Sequence, residues 1–370
     1  MGKTMRGISL AVISVIALLP QARRFSGLRI ENVASKSNFG AVNLTRPSSL
    51  RPSGSIATAP NLKIAFIGDT GKGSNQQAVL KLIKSESAQA VLHQGDFDYA
   101  NDPAGFWTSV DGVLGPNFPY FASVGNHDAR SWPTTVHPSY AQFLKDRMAR
   151  IGVTPDPPDL NHEMYSIEFK GLKVVFVGQE RIGDRTYAPY IQSQLNADDH
   201  IWKICSWHKN MTAMQVGGKT DEMGWGVYEA CKNAGAIIAT GHEHSYERTK
   251  TLLSIQNQIA DPDSPDPNRL TVSPGRTFVF VSGLGGESIR IQRRCLPTTA
   301  PYGCKGEWAK IYTSNQHAQF GALFITFNVD GNPNKAHGYF KNISGQIVDE
   351  FDITKETKPA QTPSPSPAGN

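Results

Sequence analysis

Cysteine is scarce in this chain, with four among 370 residues, and none has the Cys-x-x-Cys spacing of a structural zinc site. Strongly apolar stretches are short. Positive charge is modest, a formal net charge of +5, and Lys and Arg nowhere cluster among aromatics, which argues against a nucleic-acid-binding surface. The segment Gly68 to Gly73 does not satisfy the Gly-x-x-x-x-Gly-Lys-Ser/Thr pattern, so a phosphate loop is excluded. No internal repeat is found. What remains is a globular composition, 39% hydrophobic and 19% charged. It is long enough for one large α/β core, which can reach about 250 to 300 residues.

The ends differ from the middle. Lys3 and Arg6 precede an uncharged apolar run from Gly7 to Leu19 that stops at Pro20, the pattern of an export signal over residues 1–22. The run is shorter than the about 20 residues needed to span a bilayer, and an uncleaved signal anchor is the alternative. A secreted, periplasmic or extracellular location is expected, with no other transmembrane segment. Residues 23–60, rich in Ser, Asn, Arg and Pro, read as a flexible linker, and residues 355–370 as a disordered Pro/Ser/Thr tail. One folded domain is expected over residues 61–354. Export makes disulfides plausible: Cys295 and Cys304 are candidates to close a Pro- and Gly-containing loop, whereas Cys205 and Cys231 fit a bridge or two buried thiols equally.

Within the domain, apolar runs alternate with helical patterns. Leu62–Ile67, Ala90–His93 and Tyr120–Val124 read as strands and Asn75–Ser87 as an amphipathic helix, the rhythm of a parallel sheet. Tyr165–Phe169 and Leu172–Val177 predict a hairpin around Lys170-Gly171; Ile201–Ser206, Ala236–Thr240 and Thr277–Ser282 predict further strands. Ala322–Val329, His337–Phe340 and Gln346–Phe351 predict a closing meander with Asp-Gly and Ser-Gly turns.

Five polar clusters punctuate this pattern: Gly68-Asp69-Thr70-Gly71, Gly95-Asp96-Phe97-Asp98-Tyr99, Gly125-Asn126-His127-Asp128, His208, and Gly241-His242-Glu243-His244. Each follows a predicted strand, so all point from carboxyl ends toward one crevice. They supply two carboxylates, a phenol, an amide oxygen and three imidazoles. Seven donors exceed what one small cation takes, and three histidines disfavour Ca²⁺. Two cations sharing a carboxylate fit, and such a pair suits phosphoester hydrolysis. Any one cluster alone would be weak; five in order are specific.

Gly-Asp-x-Gly, Gly-Asp-x-x-Tyr, Gly-Asn-His-Asp, a lone His and Gly-His-x-His, in this order, resemble the purple acid phosphatases of the calcineurin-like metallophosphoesterase superfamily. The motifs span about Ile64 to Arg248. The resemblance implies a layered α/β/β/α sandwich with mixed sheets and a dimetal site at the carboxyl ends of strands. It further implies that Asp69, Tyr99 and His244 bind one metal, that Asn126, His208 and His242 bind the second, and that Asp96 bridges both. A phenolate suits Fe(III), so the Tyr99 site is implied to hold ferric iron and to colour the protein; the second metal is implied to be Fe, Zn or Mn. The implied activity is hydrolysis of phosphate monoesters by in-line attack of a metal-bound hydroxide, on a small-molecule phosphate ester or phosphorylated substrate. Asn126 and His127 bind substrate in this reading, and His127 is the candidate catalytic acid or orienter.

Two alternatives stand beside it: a phosphodiesterase with the same centre, and a non-catalytic metal-binding surface protein. The segment Cys205-Ser206-Trp207-His208-Lys209-Asn210-Met211 departs from the family's usual residues around the lone His, so the family's phosphate-ester preference does not carry over to the substrate pocket near Lys209 and Asn210. Asp98 reads as a solvated loop carboxylate, Asp128 as either an orienter of His127 or a helix cap, Arg248 as a structural ion pair with Glu247, and His93, Trp207 and Trp225 as packing residues.

Overall fold

A computed structural model describes residues 54–178 and 186–356. The expected signal segment, the linker up to residue 53 and the tail from residue 357 lie outside the described residues. The chain opens with β1 (Leu62–Ile67), α1 (Ser74–Ser85), β2 (Ala90–His93), α2 (Pro103–Leu114) and β3 (Tyr120–Ala122). These three strands run parallel, with Ile67 opposite His93 and His93 opposite Ala122, so their carboxyl ends are level. Asp102 caps α2 by accepting from the Gly105 amide, with Pro103 opening the first turn.

A second parallel run follows α3 (Tyr140–Arg150): the hairpin β4 (Tyr165–Phe169) and β5 (Leu172–Phe176), α4 (Tyr187–Leu195), β6 (Lys203–Ser206), α5 (Trp225–Asn233) and β7 (Ile237–Thr240). Then come β8 (Tyr246–Thr249), a small ribbon of β9 (Leu252–Ser254) and β10 (Ile259–Ala260), β11 (Arg269–Val272), β12 (Val279–Ser282) and β13 (Trp308–Tyr312). The meander β14 (Gly321–Phe327), β15 (Lys335–Asn342) and β16 (Ile347–Lys355) closes the fold.

Two mixed seven-stranded sheets result, one ordered β11-β16-β15-β14-β1-β2-β3 and the other β13-β8-β12-β7-β6-β5-β4. They face each other: Phe66 of β1 meets Phe280 of β12 edge-on at 5.1 Å, and Trp202 meets Phe327 at 5.2 Å. Strand periodicity explains why the inner strands read as unbroken apolar runs. In β5, Val174 and Phe176 face the inter-sheet core while Val175 faces the layer of α4 and α5; Ile237 and Ile238 divide in the same way in β7. Helices α1, α2 and α3 cover the opposite outer face, which gives the α/β/β/α sandwich.

The sheets are also tied where the strands end. The Ser282 hydroxyl donates to the Phe66 carbonyl at 2.8 Å, and the Ser123 and Ser206 hydroxyls lie 2.9 Å apart. Both cysteine pairs are disulfides. Cys205–Cys231 joins β6 to α5, and Cys295–Cys304 closes the loop before β13. Residues 54–60, expected to finish the linker, are bound to the body: Ile56 pairs with the 199–201 segment and the Thr58 carbonyl accepts from Asn328. No helix among the described residues is long and apolar enough to cross a membrane.

Candidate metal centre

The level ends of β1, β2 and β3 deliver Asp69, Asp96 and Asn126, and the ends of β6 and β7 deliver His208 and His242. The loops interlock through backbone bonds, Asp69 N–H to Gly95 O and Gly241 N–H to His208 O. Asp69, Asp96, Tyr99 and His242 all hold positive φ, from 55° to 71°. Such backbone costs about 1–3 kcal/mol per residue and concentrates at functional sites. Gly95, at φ 85°, and Gly125 touch: a Cβ on Gly95 would sit 2.7 Å from the Gly125 nitrogen. Only glycine allows these two loops to meet.

The side chains gather in two adjoining groups. In the first, the Tyr99 hydroxyl lies 3.0 Å from Asp69 Oδ1 and 3.1 Å from His244 Nε2, and those two atoms lie 3.3 Å apart. In the second, His208 Nε2 lies 3.1 Å from Asp96 Oδ2, 3.2 Å from Asn126 Oδ1 and 3.0 Å from His242 Nδ1. Asp96 thus sits in the second group, while its charge also acts on Asp69 and Tyr99.

Each histidine turns one nitrogen inward and anchors the other. His208 Nδ1 lies 2.7 Å from the Gln94 carbonyl, His242 Nε2 lies 2.8 Å from Glu222, and His244 Nδ1 contacts the Ser288 hydroxyl. Outer partners of this kind fix the ring and tautomer of a ligating histidine. Seven donors of mixed O and N type converge here, Asp69, Asp96 and the three histidines buried and Tyr99 and Asn126 partly so, which matches the chemistry of a two-cation site.

The electrostatics agree with that donor set. Burial and the Asp69 and Asp96 carboxylates push the Tyr99 phenol far above the ordinary tyrosine value. Burial alone would depress His208, but Asp96 and Asp69 outweigh it and raise its pKa to about 9. His242 is pulled down to about 4, first by burial and then by His208. The two buried carboxylates thus dominate the field on Tyr99 and His208, an arrangement that suits cations.

Several residues take places different from those expected. Asp128 neither faces His127 nor caps a helix. Buried, it accepts from the amides of Asp96 and Gly125 at 2.7 Å and of Phe97 at 2.8 Å, clamping two ligand loops; burial, then Asp96, raises its pKa to about 8. Asp98 is buried and accepts from the Tyr140 hydroxyl and the Ala100 and Asp102 amides, which shapes the loop under Tyr99. Asn210 is a buried brace between Gly241 and Tyr228, and Lys209 pairs with Glu222 at 3.1 Å, so neither forms an open substrate pocket. Arg248 pairs with Asp349, not Glu247. Trp207 and His93 are core residues, and Trp225 packs against Tyr228. His127 is exposed beside the cluster, its ring 4.4 Å from that of Tyr99 and its amide bonded to Asp96. Glu222 and Ser288 were not foreseeable, because nothing in their sequence neighbourhoods distinguishes them from surface polar residues.

A double-sheet sandwich carrying such a cluster at its strand ends defines a class of dimetal phosphoesterases. The calcineurin-like phosphoesterase family matches residues 62–246, half of the chain, and the protein belongs to that family. Within it the chain is purple acid phosphatase-like. It is 26% identical over 234 residues to purple acid phosphatase 21 of Arabidopsis thaliana, covering 57% of this chain and 50% of the relative. It is 25% identical over 230 residues to purple acid phosphatase 22 of the same plant, covering 58% and 51%. The chain thus spans about half the length of these curated relatives. The fold is also that of purple acid phosphatase PPD1 from yellow lupin (Lupinus luteus) seeds, with a TM-score of 0.58 at 18% identity over 83% of this chain and 58% of that one.

Proposed function

We propose that this chain is an exported dimetal phosphohydrolase of the acid phosphatase type that hydrolyses phosphate monoesters. One cation is assigned to Asp69, Tyr99 and His244, the other to Asn126, His208 and His242, with Asp96 shared between them. The observation that carries the reading is the convergence of these seven donors in two groups, each histidine anchored at its outer nitrogen. The phenol of Tyr99 favours Fe(III) in its group, and the Asn and two His of the other accept Fe, Zn or Mn. When bound, the cations supply Lewis acidity toward water and toward the phosphoryl oxygens.

The chain's own residues do the rest. Asn126 and His127 stand at the rim and orient the phosphoryl group. The exposed His127 donates a proton to the leaving ester oxygen as the phosphorus–oxygen bond breaks. The two disulfides suit an oxidising compartment, in line with the apolar N-terminal run.

Metal analysis with a visible spectrum tests the centre. Purple colour lost in Tyr99→Phe is expected, and a colourless, fully active zinc or manganese protein would refute ferric iron. Activity is tested with an aryl phosphate beside its bis-aryl diester. The monoester should be cleaved faster; a clearly faster diester rate makes the protein a phosphodiesterase, and metal binding without any hydrolysis makes it a binding protein.

A further inference from the structure

A cleft of about 510 Å³ opens beside the His242–His244 loop, lined by Lys219, Arg290, Arg293, Glu243 and Ile289. It shares its wall with the metal centre: the Arg290 amide donates to the His244 carbonyl at 2.9 Å and its guanidinium to the His242 carbonyl at 3.0 Å. The field of Lys219 reaches His242 and Asp69. Glu243, the one acid in the lining, is buried and lies 3.5 Å from Arg290. Among the described residues the ammonium of Lys219 and the guanidinium of Arg293 have no hydrogen-bond acceptor or ion-pair partner. Lys219 is half-buried, and burial followed by the nearby Arg290 charge pushes its pKa down. Glu222, Glu243 and Asp69 offset part of the repulsion that Arg290 exerts on Lys219, but Glu243 is the sole carboxylate in the lining, so three cationic side chains face the opening with room for an anion between them.

The cleft is also rigidly built. The Val216 carbonyl accepts from both the Arg293 and Arg294 amides, and the Val216 amide donates to the buried Glu247. Arg294 bonds the Gln215 carbonyl at 2.7 Å, and the next residue, Cys295, is locked to Cys304. Gly217 allows the loop to descend onto Glu243, where a Cβ would overlap the carboxylate, and a Cβ on Gly218 would lie 3.0 Å from Arg293 Cδ. Two loops are thus fastened together so that the three cationic side chains share one opening next to the phosphoryl site.

We infer that Lys219, Arg290 and Arg293 form a specificity subsite for a second phosphate group, so that the substrate class is a small molecule carrying one phosphate monoester at the metal centre and a further phosphate in this cleft. The inference rests on the phosphohydrolase reading and deepens it. Guanidinium and ammonium groups recognise phosphate by charge-assisted hydrogen bonds, and in a partly buried cleft these are weakened by salt less than on an open surface.

Calorimetric titration of the metal-loaded full chain with short α,ω-alkanebisphosphonates and the matching alkylphosphonates, none of which can be hydrolysed, tests this. The bisphosphonate of fitting length should bind at least about tenfold tighter, equivalent to about 1.4 kcal/mol. That advantage should disappear in Lys219→Gln/Arg293→Gln and persist in Lys219→Arg. Equal binding of the two ligand types by the unsubstituted protein, or an advantage that survives the double substitution, overturns the subsite while leaving the phosphohydrolase reading intact. Binding of neither ligand overturns that reading and the subsite with it.

Discussion

The three histidines of the centre lean on three different acceptors, a backbone carbonyl, a carboxylate and a hydroxyl, and Glu222 is the only charged one. Glu222→Gln should weaken retention of the cation in the His208 group by about 10–100-fold, as loss of an outer partner typically does. Competition with a chelator reads this directly, and unchanged retention would show that Glu222 serves only Lys209. His127→Ala should lower kcat by about 10²–10⁴-fold for alkyl phosphates, whose leaving oxygen needs a proton, and much less for nitrophenyl phosphate. Equal losses on both substrates would assign His127 to binding alone. All the candidate ligands but the lone His208 were legible because they fall in short polar clusters that contain a glycine and follow an apolar run, and His208 because it follows a strand in the same order. Their supports were not: Asp128 clamps amides about thirty residues away, and Glu222 meets a histidine twenty residues on, distances at which local pattern carries no signal.

At the scale of elements, β1, β2 and the centres of β5, β6 and β7 were readable because strands buried on both faces are runs of apolar residues, and the edge strand β4 because its apolar residues alternate with Ser166 and Glu168 before the Lys170-Gly171 turn. The strand β8, Tyr246-Glu247-Arg248-Thr249, was not, since it is polar and nevertheless wholly buried. Its charges are answered only in three dimensions, Arg248 by Asp349 and Glu247 by Ser245 and the Val216 amide. Burial raises the Glu247 pKa to about 8. The end of β16 carries a comparable misfit. Burial and then Lys203 depress the Lys355 amine to about 7, below the free-lysine value, so the unfolded chain binds more protons there. Stability should therefore rise as pH climbs from about 7 toward 10.5, and below about 7 the buried charge costs stability in full. Lys355→Met should flatten that slope and raise the denaturation midpoint at pH 7. Identical slopes for the two proteins between pH 7 and 10 would show that the amine is not depressed.

Over the whole molecule, the strands and the closing meander follow from apolar runs and turn signals and the layered sandwich from the motif resemblance, whereas the facing of the sheets depends on aromatic contacts such as Phe66 with Phe280 that no local pattern records. The Cys205–Cys231 bridge closes 26 residues between β6 and α5, and a loop of this length contributes about 3 kcal/mol by constraining the unfolded chain. Because Cys205 stands three residues before His208, Cys205→Ala/Cys231→Ala should lower both the denaturation midpoint and retention of the second cation. A lowered midpoint with full metal retention would separate the bridge from the centre. The order of strands in the first sheet has a consequence for biosynthesis. β1, which leads to Asp69, lies between β2 and β14, and β14 ends at Phe327, so a chain emerging from the ribosome presents all seven donors well before β1 gains its second neighbour. A nascent chain should then hold its cations less firmly than the finished one, because the strand that carries Asp69 stays half-paired until the last strands arrive.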